Sequence, residues 1–173
     1  MVFISPFRGW FVLVTGALEM IPNNVKAFLT MIAISEGTQN IGTHQGYDVL
    51  VGSTKGKPNL FCSYQDHPRV VIDLGYGLKS SAAGRYQILA RYYDAYKKKL
   101  KLPDFSPDSQ DQIAMQLLKE CRALPLIEIG DFAGAVKACA SRWASLPGAG
   151  YKQHENQLVA LQIAYVEAGG GVV

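Results

Sequence analysis

The distribution of local patterns is the feature that most constrains the fold of this chain. Only two short β-rich runs occur, at residues 47–51 and 60–64, and a stretch rich in glycine, proline and asparagine separates them. Two such runs joined by turn residues predict a β-hairpin. Helical periodicity occupies most of the remaining sequence. The sequence therefore predicts an α+β fold in which one small hairpin stands beside a mostly helical body.

The helical segments have recognisable start and stop residues. A first amphipathic helix is predicted over residues 25–35, with Asn24 as its N-cap and Gly37 as its stop. Four more helices are predicted: residues 82–100 with Ser81 as cap, a helix that opens at Ser106-Pro107, a helix that starts at Asp131 and includes Val136 and Trp143, and a last one over residues 158–168.

Length and charge limit the possible classes of protein. A chain of 173 residues, 49% hydrophobic and 18% charged, fits one globular domain. The net charge of +3 is too small to indicate a nucleic-acid binder, although it is compatible with an anionic cell wall. The basic run 97–99 ends a predicted helix, where the macrodipole favours cations, so we interpret it as a solvated helix end.

The cysteines and histidines predict neither a metal site nor a peptidase. Cys62, Cys121 and Cys139 form no Cys-x-x-Cys pair and lie at no zinc-ligand spacing from a histidine, so we expect three free thiols and no cofactor. His44, His67 and His154 belong to no His-Glu-x-x-His motif, and no Gly-x-Ser-x-Gly elbow occurs. We interpret them as surface or loop residues, with His67 bracing the loop behind the hairpin.

Residues 1–19 form an N-terminal extension to a main domain over residues 20–173. The extension contains an apolar run between Arg8 and Glu19, roughly half of the ~20 residues that a membrane span needs. Three interpretations remain open: the apolar region of a signal sequence, a weak membrane anchor, or translated sequence upstream of a natural start at Met20. Membrane contact is expected only through this extension.

Glu36 is the exception on the inner face of the first helix. One turn beyond Ile32 on the apolar stripe comes position 36, so this carboxyl is predicted to lose solvation next to the negative end of the helix dipole. Both effects raise its pKa, and a proton kept near neutral pH suits a general acid that protonates a glycosidic oxygen. The alternative is an exposed glutamate that follows the last turn.

Several segments, in order along the chain, resemble those of the lambda-type phage endolysins. These segments span residues 31–38, 44–52, 64–69, 80–87, 104–111 and 143–151, and the likeness covers about residues 20–170. The loop between Glu36 and the Gly-Tyr-Asp motif is shorter than in the best-known member of the family. The resemblance implies a monomer with a lysozyme-like fold and a groove between hairpin and helices. It also implies lytic transglycosylase activity on the β-1,4 MurNAc-GlcNAc bond of peptidoglycan glycan strands.

The same resemblance assigns roles to individual residues. Glu36 falls on the family's catalytic glutamate. Asp48 is expected to position substrate or stabilise charge, with a turn aspartate bonded to local backbone as the alternative. Tyr86 and Gln87 are expected to line the substrate site, although Tyr86 also fits a purely packing role. Tyr151 is expected to stack on a sugar or to hydrogen-bond near Glu36.

Two rival functions remain open at the level of sequence. One is a hydrolytic muramidase on the same fold, in which Asp48 assists a water molecule. The other is a non-catalytic wall-binding or virion protein. The resemblance implies synthesis in the host cytoplasm and action at the periplasmic cell wall, reached through a holin or through the N-terminal extension.

Overall fold

The computed structural model describes residues 22–75, 77–151 and 154–173. Six helices and one two-stranded antiparallel sheet make up this part of the chain, which confirms the predicted α+β class. In chain order these elements are α1 (Asn23–Ser35), β1 (Ile72–Asp73), β2 (Lys79–Ser80), α2 (Ala90–Leu100), α3 (Pro107–Glu120), α4 (Leu124–Glu128), α5 (Phe132–Cys139) and α6 (Leu158–Glu167).

Helix α1 lies at the centre of the core and packs mainly against α6 and α4. Its side chains at helical spacing, among them Phe28 and Ile32, are fully buried. The ring of Phe28 makes edge contacts with Phe132 and Tyr165, whose rings stack on each other with centroids 5.0 Å apart. Burial of side chains of this size supplies most of the stabilisation of the helical body.

Helix α1 begins and ends almost as predicted, but its cap differs. It starts at Asn23 after Pro22, and no side chain caps it. The predicted N-cap, Asn24, is wrong: its side-chain amide donates to the carbonyl of Ile127 and accepts from the N–H of Gly171. Asn24 therefore joins the start of α1 to α4 and to the C-terminal segment. At the other end Gly37 adopts a φ of +72°, as expected of a helix stop.

The predicted hairpin is present only as two isolated antiparallel bridges, Val49 with Leu60 and Thr54 with Lys57, and not as a regular ladder. Val49 pairs with Leu60, and the N–H groups of Leu50 and Phe61 donate to the carbonyls of Asn59 and Asp48. The regular ladder forms later in the chain, where β1 and β2 pair with Ile72 opposite Ser80. The prediction placed the sheet too early because the β-rich runs at 47–51 and 60–64 have high strand propensity, whereas the strands that form are two residues long.

The predicted helix over residues 82–100 forms only from Ala90 onwards. Residues 83–88 instead make a tight loop in which Ala83 and Ile88 exchange both backbone hydrogen bonds. Gly84 and Gln87 have φ values of +79° and +50°, which an α-helix does not allow. The predicted N-cap Ser81 is wrong, because Leu89 occupies the N-cap of α2 and no N-cap side chain bonds to it; the Ser81 hydroxyl instead accepts from the N–H of Ala90 across the loop.

The later helices follow their start signals more closely. Ser106 caps α3, with Pro107 in its first turn, and Asp131 caps α5, both as predicted. Helix α5 ends at Cys139, so Trp143 lies outside the helix assigned to it. The short helix α4 was not predicted, because five residues with Pro125 in the first turn carry too little periodicity.

The remaining sequence-level expectations have mixed outcomes. The run 97–99 forms the last turn of α2, and Cys62, Cys121 and Cys139 are free thiols, both as predicted. The extension 1–19 lies outside the described residues. Within the described part of the chain, no helix combines the length and the apolar character that crossing a bilayer requires.

Candidate active site

Glu36 enters the site because α1 ends immediately before it. Its N–H still donates to the carbonyl of Ile32 at 2.9 Å, and the positive φ of Gly37 lets the chain turn away directly afterwards. The half-buried carboxyl lines a cavity of about 380 Å³, formed mostly with residues from 74–96 and from 141–151, and also with Val51, Ile113 and Leu117. The helix end thus points one acid into a cleft between the sheet and the helical body.

Burial raises the pKa of the Glu36 carboxyl above its usual range because the charged form loses solvation. Two hydrogen bonds from Ser145 oppose this rise in pKa, one from its hydroxyl and one from its backbone N–H. The hydroxyl donates to Glu36 Oε1 at 2.6 Å. A carboxyl in this environment keeps its proton to a higher pH than a solvated glutamate, as a general acid must.

The structure brings three of the four predicted substrate-binding residues to the same cavity. Tyr86, Gln87 and Tyr151 line it together with Glu36. The Gln87 amide nitrogen donates to the carbonyl of Gly84 at 3.0 Å. The Tyr151 hydroxyl donates to the carbonyl of Ser141 at 2.8 Å, so this ring is tied to the loop after α5.

Asp48 is not among the residues that line the cavity. It is 5% exposed, and its Oδ2 is hydrogen-bonded to Nδ1 of His44 at 2.9 Å. Its Oδ1 is buried with no hydrogen-bond partner in the described structure. The local partner is therefore a side chain, whereas the alternative prediction had expected backbone donors.

Asp111 organises the aromatic side of the site. Its Oδ1 accepts hydrogen bonds from the hydroxyls of Tyr47 and Tyr86, at 2.8 and 2.7 Å. The pKa values of both tyrosines are raised, first by burial and next by the negative charge of Asp111. Both phenols therefore stay protonated and act as donors. The guanidinium of Arg85 lies over the two rings, 5.2 and 5.9 Å from their centroids.

The loop that carries Tyr86 and Gln87 is fixed by two further side chains. Gln110 is fully buried, and its Oε1 accepts from the N–H of Arg85 at 2.9 Å. The Trp143 indole N–H donates to the carbonyl of Tyr86 at 3.2 Å. A Cβ at Gly84 would lie 2.1 Å from Gln110 Oε1, so the glycine allows this close approach. Tyr86 is 2% exposed, so it packs in the core and borders the cavity at once.

The histidines take no part in the cavity. His44 and His154 are exposed, and His67 lies in a loop as predicted, although it is buried there and only 2% exposed. The N–H of Arg69 donates to its Nδ1, so Nε2 carries the proton and donates to the carbonyl of Ile88 at 2.9 Å. His67 thus braces the loop behind the sheet. No three histidine, cysteine, aspartate or glutamate side chains lie close enough to hold a metal within the described residues.

Sequence reasoning did not identify Ser145, Asp111, Gln110 or Trp143 as parts of the site. Ser145 and Trp143 belong to the 143–151 segment quoted for the family resemblance, and Asp111 ends the 104–111 segment. That membership was the available signal, because nothing in their local pattern distinguishes them from surface or core residues.

Comparisons with known proteins agree with one another. The Endolysin family model matches residues 26–172. The chain is 51% identical over 155 residues to the endolysin of Escherichia phage lambda, covering 88% of this chain and 95% of that one. It is 46% identical over 154 residues to the endolysin of Escherichia phage P2, covering 85% and 93%.

Solved structures give the same result. The bacteriophage lambda lysozyme complexed with a chitohexasaccharide matches with a TM-score of 0.84 and 50% identity, over 89% of this chain and 99% of that one. A second structure of lysozyme from bacteriophage lambda matches with a TM-score of 0.80 and 49% identity, over the same shares of both chains. The predicted lysozyme-like fold is thereby confirmed.

Proposed function

This chain belongs to the endolysin family, phage enzymes that degrade bacterial peptidoglycan during host lysis, and on that premise we propose that it cuts glycan strands by lytic transglycosylation, with Glu36 as the catalytic acid. The bond cleaved is the β-1,4 bond between N-acetylmuramic acid and N-acetylglucosamine. The product carries a 1,6-anhydro end.

The observation that carries this proposal is that Glu36 is the sole acidic side chain lining the cavity within the described structure. Glycosidases that use water generally need two carboxylates flanking the bond, one as acid and one as base or nucleophile. Asp48 was the candidate for the second carboxylate, and it lies outside the cavity lining. A reaction that needs one proton-transfer group fits this site better.

In the proposed reaction the protonated Glu36 donates its proton to the glycosidic oxygen while the bond from that oxygen to C1 breaks. The C6 hydroxyl of the same muramic acid attacks C1 and forms the anhydro ring. The Glu36 carboxylate accepts the proton that this hydroxyl releases. The carboxyl is thereby restored to its starting state, and neither water nor a protein nucleophile is consumed.

We propose that Tyr86, Gln87 and Tyr151 bind the sugars beside Glu36. The lambda lysozyme structure holds a chitohexasaccharide, and N-acetyl groups need both a donor and an acceptor. Gln87 offers its Oε1 as acceptor, since its amide nitrogen is engaged with Gly84. Tyr151 is 52% exposed and presents an aromatic ring for stacking on a sugar.

Mass spectrometry of digested peptidoglycan tests the reaction type. We expect muropeptides that end in 1,6-anhydro-muramic acid and lack the added mass of one water molecule. Products that all carry a reducing end would refute transglycosylation and favour the hydrolytic muramidase. Asp48→Asn is the matched variant: it should keep the anhydro products, whereas a hydrolase dependent on Asp48 would lose activity.

We further propose that residues 20–173 form the catalytic domain and that residues 1–19 are dispensable for cleavage. The family match begins at residue 26 and α1 at Asn23. A chain that starts at Met20 should degrade purified walls at the rate of the full chain; a large loss would contradict this division. Comparing lysis by both chains with and without a holin tests whether the route to the wall runs through the extension.

A further inference from the structure

We infer that Ser145, Ser35 and Asn156 form a directed hydrogen-bond chain that positions the Glu36 carboxyl and assigns its proton to Oε2. This inference rests on the proposed role of Glu36 as the acid. The three residues come from distant parts of the sequence: Ser35 ends α1, Ser145 follows α5, and Asn156 precedes α6. They act on the reaction only through Glu36 and are positioning residues.

The distances define an unbroken chain. Asn156 Nδ2 donates to Ser35 Oγ at 3.1 Å, Ser35 Oγ lies 2.7 Å from Ser145 Oγ, and Ser145 Oγ donates to Glu36 Oε1 at 2.6 Å. Asn156 is itself held in place, because its backbone N–H and its side-chain Nδ2 both donate to the carbonyl of Ser145, at 2.8 and 3.2 Å. Nδ2 also lies 3.1 Å from the carbonyl of Ser35, so its two hydrogens are shared among these three acceptors.

The direction of the chain follows from the chemistry at its far end. The two carbonyls next to Nδ2 can only accept, so this atom of Asn156 is the amide nitrogen and donates to Ser35 Oγ. Ser35 then has its own hydrogen free for Ser145 Oγ. Ser145 passes its hydrogen to Glu36 Oε1. The reverse order would leave the hydroxyl hydrogen of Ser35, which is 8% exposed, without an acceptor, at the cost of an unsatisfied buried donor.

A fixed direction makes Oε1 an acceptor in both protonation states of Glu36. The proton must therefore be carried by Oε2, so the acid presents one defined oxygen to the substrate. The same donors stabilise the carboxylate that forms after proton transfer. The chain thus limits the rise in pKa that burial causes and keeps Glu36 able both to give and to take back a proton.

Burial raises the pKa of Glu36, and the two hydrogen bonds from Ser145 lower it. The titratable groups that line the same cavity are Lys79, Arg91, Arg142, Tyr86, Tyr92, Tyr96 and Tyr151. A change in the pKa of Glu36 after substitution of Ser35 or Ser145 therefore measures the effect of the hydrogen-bond chain.

The test is the pH dependence of kcat/KM for soluble glycan in the full-length protein. Activity should fall as pH rises through the pKa of Glu36, because the acid must be protonated. Ser145→Ala removes the direct donor, so the falling limb should move to higher pH by about one unit. Ser35→Ala should move it in the same direction by a smaller amount. Ser145→Thr restores the hydroxyl and should return the limb to its original position.

A ¹³C NMR titration of the Glu36 carboxyl measures the same shift without relying on activity. Ser63→Ala, at an exposed serine outside the cavity, is the control for replacing a hydroxyl and should leave the limb unchanged. The proposed hydrogen-bond chain would be refuted if Ser145→Ala and Ser35→Ala both left the falling limb of the pH profile and the carboxyl titration of Glu36 at their original pH. Glu36→Gln separates the two failures: an active Glu36→Gln protein would refute the proposed acid itself, whereas an inactive one with unmoved serine variants would refute only the chain.

Discussion

Replacement of Gln110 by leucine should lower the free energy of unfolding by about 3–5 kcal/mol. The Gln110 side chain is fully buried and satisfies three backbone groups: it accepts from the N–H of Arg85 and donates to the carbonyls of Tyr47 and Phe105, each at 2.9 Å. Leucine fills a similar volume but has no polar atom. Each backbone group left without a partner in the interior costs about 1–3 kcal/mol, so three such groups cost about 3–5 kcal/mol in total when each cost lies near the lower end of that range.

Urea unfolding measures this loss as a lower midpoint with an unchanged slope, and the melting temperature should fall by roughly 6–20 °C for a chain of this size. Gln112→Leu is the matched control because Gln112 is exposed on the same helix; it should change stability by no more than about 0.5 kcal/mol. A loss below about 1 kcal/mol for Gln110→Leu would refute the reasoning. Since Gln110 also fixes the loop with Tyr86, KM for glycan should rise in the same variant.

Three further predictions concern the acid, a backbone position and an ion pair. Glu36→Gln should still sediment with isolated walls but clear permeabilised Gram-negative cells about 10²–10⁴ times more slowly; near-full activity would contradict its assignment. In chemical denaturation, Gly46→Ala should lower the free energy of unfolding by about 1–3 kcal/mol more than Gly75→Ala. Gly46 and Gly75 have similar φ values, +86° and +88°, but only a Cβ at position 46 would meet a backbone oxygen, at 2.6 Å. Equal losses in the two variants would refute this reasoning. Hydrogen bonds from Lys99 and two other side chains lower the pKa of Glu120 to about 2, so its stabilisation is complete above its ordinary pKa of 4.5 and is lost as pH falls towards 2. Glu120→Gln should be less stable at pH 7 by about 1–2 kcal/mol, and in thermal unfolding the gap should close near pH 2; a gap that persists there would contradict the lowered pKa.

The helices were predictable wherever a cap and an apolar stripe agree. Ser106-Pro107 and Asp131 marked the starts of α3 and α5 correctly. Residues 82–89 were wrongly predicted to be helical because Tyr86 and Leu89 continue the apolar stripe of α2. Their conformation is instead set by Gly84 and by its contact with Gln110. That contact joins residues far apart in sequence, so no local pattern reveals it.

The site was predictable in its chemistry more than in its arrangement. The position of Glu36 on the stripe of α1 indicated a desolvated acid, and the structure places it in the cavity with a raised pKa. The position of Asp48 depended on the hairpin, which forms isolated bridges instead of a regular ladder, and its contact with His44 has no sequence signature. The hydrogen-bond partner of the Glu36 carboxyl, Ser145, was not visible from the sequence because it lies 109 positions away along the chain.

The antiparallel packing of α1 on α6 has a consequence for the timing of activity. Asn24, near the start of α1, accepts a hydrogen bond from the N–H of Gly171, and Ser35, at its end, is held by Asn156. A nascent chain that lacks these late residues can pack α1 only against α4 and α5, without the larger contact with α6. The surroundings of Glu36 are therefore completed by the last part of the chain to be synthesised, because Asn156 holds both Ser35 and Ser145.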